Sequence, residues 1–98
     1  MITVEYSFDD SLLLRVTGHA DHSREKDIVC AGVSALTESL ASFISSKGYT
    51  ASIRLGRGYA EIYSREHEAL PFFRFTLHGI SLICAEYPDN IKVIKQSL

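Results

Sequence analysis

Several things are scarce in this sequence. Only two of its 98 residues are cysteines, Cys30 and Cys84. They form no CxxC pair, so the usual frameworks for structural zinc and for dense disulfide crosslinking are absent. Positive charge is not in excess. Ten Lys and Arg stand against twelve Asp and Glu, a formal charge of −2, which lacks the basic footprint of a nucleic-acid binder. Glu5, Asp9 and Asp10 break the first stretch, so no signal segment is expected. The apolar stretch over 70–85 carries Arg74 and His78 and is too polar to span a bilayer. Repeats, linkers and low-complexity tracts are missing too, and 98 residues is one domain's worth. These absences predict a single domain over 1–98, soluble and cytoplasmic, with reduced thiols; a Cys30–Cys84 disulfide is the alternative.

What is present is periodic. Ile2, Val4, Tyr6 and Phe8 alternate with Thr3, Glu5 and Ser7, the pattern of a half-buried strand. Asp9-Asp10-Ser11 makes a turn, and Leu12, Leu14 and Val16 alternate again up to Gly18. Over 28–47 the period changes. Val29, Val33, Leu36, Leu40 and Phe43 fall on one helical face. Asp27 is placed to cap that helix and Gly48 to end it. Tyr49, Ala51, Ile53 and Leu55 alternate into a Gly56-Arg57-Gly58 turn and a partner strand over 59–64. A second helix is expected from about Glu66 to Glu86, with Leu70, Phe73, Leu77, Ile80 and Cys84 on one face and Pro71 near its regular start. A short strand with Ile91 and Val93 closes the chain. The order ββαββαβ predicts an α+β fold of two layers, two helices on a mostly antiparallel five-stranded sheet. Such sheets leave edges or a face free, so a homodimer is expected.

The chemistry concentrates in 18–34. With Asp27 as N-cap, Cys30 is the third helical residue, where free N–H groups and the macrodipole favour a thiolate. An ordinary thiol is about 3% ionised at pH 7, and one whose pKa is lowered to near 6.5 is about 75% ionised. Cys30 also lies about 100° around from the Val29–Val33 stripe, at the margin of the core. A small buried cysteine is the plainer reading. His19 follows the strand-ending Gly18 and supplies a base that can take the thiol proton and later protonate a leaving amine. A strand-end histidine bonded to solvent is its plainer reading. Gly18 would let a substrate backbone approach. Asp27 can cap the helix or orient the imidazole. Ser34 lies one turn beyond Cys30 on the same face. His22 is a rival base in a loop, 20–26, that could order over a substrate. The N–H groups near Val29 and Cys30 are candidates for an oxyanion site.

Gly18-His19-Ala20 and Asp27-Ile28-Val29-Cys30-Ala31-Gly32-Val33-Ser34 resemble the paired motif of the ribosomal-processing cysteine proteases. Gly32 stands where that family has alanine, and the loop before Asp27 is about a residue short and lacks the family's glycine. The resemblance covers essentially the whole chain. It implies Cys30 as nucleophile and His19 as base, Asp27 and Ser34 in support, and Gly18 and Ala20 near the substrate. It also implies a homodimer that removes the N-terminal extension of a large-subunit ribosomal protein, number twenty-seven of its series; apart from the resemblance, no cofactor, metal, nucleic acid or membrane is expected. The rival readings are a non-catalytic ribosome-associated binding module using the same groove, a metal site from His19, His22 and Cys30, and an RNA contact through Arg54, Arg57 and Arg65.

Overall fold

Alternating strands and two apolar-striped helices assemble as that order predicts. The structure, a computed structural model, describes residues 1–18 and 24–96, with the side chains of 24–26 outside the description. The strands are β1 (Ile2–Phe8), β2 (Leu12–Thr17), β3 (Ala51–Gly56), β4 (Tyr59–Ser64) and β5 (Ile91–Lys95). The helices are α1 (Arg24–Ser46) and α2 (Leu70–Glu86). The sheet order is β3-β4-β2-β1-β5. Every neighbouring pair is antiparallel except β5, which runs parallel to β1. The result is the α+β fold with the expected element order.

One face of the sheet supplies Ile2, Val4, Leu12, Leu14 and Ile62 to the core, and the helices supply Val29, Val33, Leu40, Ile44, Phe73 and Ile80. The alternation in β1 and β2 therefore reads correctly. Among the described residues no helix covers the opposite face. It holds Arg15 between Glu5 and Glu61, with Arg15 Nε donating to Glu61 Oε2 at 3.0 Å and the Tyr59 hydroxyl donating to the same oxygen at 2.8 Å. These bonds, the Tyr59 hydroxyl first and Arg15 second, hold the Glu61 carboxyl below its ordinary value. Ser7 and Leu13, cross-strand partners on that face, are both buried.

The helix boundaries differ from expectation. α1 begins at Arg24, not after Asp27, because Arg24, Glu25 and Lys26 are strong helix formers and extend it backward by a turn. Residues 24–26 are thus helix rather than loop. Its end is as expected. Gly48 has φ 78°, the Gly48 N–H donates to the Ser45 carbonyl at 3.0 Å and the Tyr49 N–H to the Ile44 carbonyl at 3.1 Å. That pair of bonds closes the helix in a Schellman turn. Within α1, Ile44 is fully buried while Phe43 is 43% exposed and packs edge-on against Phe72. A 3.6-residue period drifts against a straight stripe over a helix this long, so the core face moves from the expected Phe43 to Ile44. A 3₁₀ turn, His67–Ala69, precedes α2, whose first positions hold Pro71, where its missing N–H costs nothing. In α2 the buried face includes Thr76, whose hydroxyl donates to the Phe72 carbonyl.

By length and composition Asp27–Ser46 is apolar enough to cross a membrane, more so than the 70–85 stretch singled out above. In the fold its Val29, Val33, Leu40 and Ile44 are sealed against the sheet and α2, as in the core helix of a two-layer domain. Cys30 and Cys84 are both free.

Candidate functional site

The backbone of β2 leads straight into the candidate site. Thr17 pairs with Tyr59, and the Gly18 N–H donates to the Gly58 carbonyl at 3.0 Å. This register sets the end of β2 beside the β3–β4 turn. Gly18 has φ 121°, a conformation that favours glycine, and a Cβ there would lie 2.2 Å from the Met1 carbonyl oxygen. The expected close approach to Gly18 is therefore made by the chain's own first residue. Gly18 is required by the fold.

Above that junction α1 and the β3–β4 hairpin enclose a cleft of about 250 Å³. The helix wall presents Cys30, Ser34 and Glu38 at successive four-residue steps, with Val33 and Thr37 between them. The hairpin wall is Leu55, Gly56, Gly58, Tyr59 and Ala60, and Ile2, Val16 and Gly18 form the floor. Cys30 is half-buried against the core, the marginal position its offset from the stripe predicts. Thr37 is buried and its hydroxyl is spent on the Val33 carbonyl at 3.0 Å. The cleft is thus apolar at its floor, with a thiol and a serine along one lip.

Of the residues singled out from the sequence, the fold brings Gly18, Cys30 and Ser34 to this one cleft. Asp27 does not line it. It is exposed in the first turn of α1 and is not the N-cap, since the helix starts three residues earlier. A carboxylate there still complements the positive helix end. For the same reason Cys30 is the seventh residue of α1, not the third. The free N–H groups of a helix belong to its first turn. Those of Val29 and Cys30 lie beyond it, inside the ladder, so they are not open to an oxyanion. His19, Ala20 and the rival base His22 lie outside the described residues.

Sequence reasoning missed Glu38 and the whole hairpin wall. Glu38 carried a usable signal, its spacing of eight from Cys30 on the same helix. Leu55 looked like a core residue by alternation, yet it is 54% exposed and faces the cleft. Its strand runs past the end of the helical cover, which no local pattern encodes.

With that geometry in hand, comparisons with known proteins place the chain. The model of the family described as Cysteine protease Prp matches residues 1–92. Among curated proteins nothing matches. Among solved structures, an essential ribosomal processing protease Prp from S. aureus in complex with a substrate peptide is 28% identical, with TM-score 0.86 over 98% of this chain and 100% of that one. The same S. aureus protease in complex with a covalently linked product peptide is 29% identical, with TM-score 0.85 and the same coverage. A Streptococcus mutans protein, 22% identical, matches 98% of this chain and 96% of its own at TM-score 0.81, which shows the shared fold.

Proposed function

Because the chain belongs to the cysteine protease Prp family and is a cysteine protease, we propose that it removes the N-terminal extension of a large-subunit ribosomal protein, number twenty-seven of its series, with Cys30 as nucleophile and His19 as base. The observation that carries this reading is the cleft itself. Cys30 and Gly18 line it together, and His19 is the residue bonded to Gly18 in the chain. The relatives named above are structures of a protease described as ribosomal processing, with a substrate peptide and with a covalently linked product peptide.

The steps follow from thiol chemistry. The imidazole of His19 takes the Cys30 proton, and the sulfur attacks the scissile carbonyl carbon, forming a C–S bond. The tetrahedral adduct collapses, the C–N bond breaks, and the imidazolium protonates the departing amine. Water activated by the same imidazole then hydrolyses the thioester, freeing the acid and restoring the thiol. Ser34 borders the sulfur one turn on and can donate a hydrogen bond to the bound peptide. Asp27, exposed and outside the cleft, contributes through the helix end.

Exposed Phe75 and Leu82, seven residues apart on α2, support a homodimer as the acting form, which sedimentation would check. The direct test is cleavage of a synthetic peptide spanning the extension. Wild type should cut it once, and Cys30→Ala should lose cleavage by about 10⁴-fold or more. Equal cleavage by that variant would remove Cys30 from the mechanism.

A further inference from the structure

Resting on the protease reading, we infer that Glu38 is a specificity-determining residue that selects a lysine or arginine side chain of the substrate, about three residues from the scissile bond. Glu38 lines the same cleft as Cys30. Among the described lining residues it is the one charged side chain; the others are apolar or neutral. Its carboxylate is exposed, and among the described residues no hydrogen bond or ion pair neutralises it. Thr37 beside it is buried and bonded within the helix, and Ser34 is uncharged. Among the described residues, a substrate side chain passing this point therefore meets one anion without a partner in a lining otherwise apolar or neutral.

Helix geometry sets the distance. Eight residues separate Glu38 from Cys30, about 12 Å of rise along α1. Side chains lean toward the helix N-terminus, which shortens the span to the carboxylate to about 10 Å. An extended peptide advances about 3.3 Å per residue, so the residue facing Glu38 is about the third from the bond under attack. Across the cleft stands the exposed side chain of Leu55, which offers apolar surface to the methylene stem of a lysine or arginine while its head meets Glu38. The ion pair is solvent-exposed, so its effect is modest and salt-sensitive.

The test is a set of synthetic peptides with one cleavable bond and a single lysine, alanine or glutamate moved from the second to the fifth position on either side. For wild type, one position near the third should show a kcat/KM for lysine about threefold above alanine, with glutamate below alanine. In Glu38→Gln the lysine-to-alanine ratio at that position should fall to about one. In Glu38→Lys the order should reverse, with glutamate favoured. The effect should sit mainly in KM and shrink at high salt. A lysine preference that survives unchanged in Glu38→Gln, or no charge preference at any position, overturns the inference. If wild type cuts none of the peptides the protease reading itself fails. The inference is then decided by binding of fluorescent lysine and glutamate peptides to Cys30→Ala: equal affinity overturns it, and tighter binding of the lysine peptide that is lost in Cys30→Ala/Glu38→Gln upholds it.

Discussion

Two cysteines in one small protein invite comparison. Cys30 on α1 and Cys84 on α2 are both free and both half-buried against the same core. Burial does not separate them; their surroundings do. Cys30 opens on a cleft whose other wall is a hairpin turn. Cys84 points its sulfur at the Ile91 carbonyl, 3.4 Å away, and fastens α2 to β5. A thiol becomes a candidate nucleophile when a substrate can reach it and a base stands beside it. A thiol that donates into a strand edge is part of the packing. The fold leaves Cys30 open to a cleft and ties Cys84 to β5.

The widest gap between the two should come from deleting each sulfur. Cys30→Ala should end cleavage, whereas Cys84→Ala should keep kcat/KM within about twofold and cost about 1 kcal/mol of stability, for a lost weak hydrogen bond and a small void. Peptide turnover and urea denaturation of the same two proteins measure both. A Cys84→Ala enzyme that folds but does not cut would erase the distinction.

A smaller effect separates the sulfurs within one molecule. Iodoacetamide at neutral pH, read by mass spectrometry at each cysteine, should modify Cys30 faster than Cys84. His19→Ala should slow Cys30 by about tenfold or more and leave Cys84 unchanged. Because α1 starts at Arg24, the helix end contributes less at Cys30 than an Asp27 cap would, so Asp27→Asn should change the rate far less than His19→Ala. Equal slowing by the two variants would restore the helix end as the main cause.

The smallest effect lies away from both sulfurs and serves as the control. Glu61, on the sheet face opposite the helices, accepts from the Tyr59 hydroxyl and from Arg15, and its carboxyl is lowered by them. A carboxyl lowered in the folded state adds stability above its unfolded value, about 4.3, and that gain is lost as pH falls through the folded value. Glu61→Gln should therefore cost roughly 0.5–1 kcal/mol at pH 7, and the difference from wild type should shrink steadily as pH drops below about 4.3. Neither alkylation rate should move. A gap that stays constant down to pH 2 would remove the charge from the explanation.

Much of the fold was legible because its parts are local. The period-two runs at 2–8 and 12–16 and the helical stripe from Val29 are set by neighbours in the chain, and Gly48 marks a helix end by its own backbone. The misses share a cause. Phe43 and Leu55 carry core-like patterns, yet both lie at the margin of the core, Phe43 against Phe72 and Leu55 on the cleft, and a local pattern cannot know where burial ends. The start of α1 was misplaced because Asp27 is a good cap by type, while Arg24, Glu25 and Lys26 are good helix formers and prevailed. At the site, Cys30 and Ser34 were visible as an i, i+4 pair. The hairpin wall was not, since residues 55–60 meet Cys30 only through the β2–β4 pairing.

The order of residues alone determined which groups could react: one cysteine on a helical margin and one histidine after a glycine. It also determined the strands and helices, since periodicity and end signals act between near neighbours. Only the tertiary structure decided that Gly18 must be glycine for the sake of Met1, that the β3–β4 hairpin closes the cleft over Cys30, and that Cys84 is spent on packing. Those facts depend on which strands lie side by side, and that is settled by the burial of the whole apolar face at once rather than by any short stretch of chain.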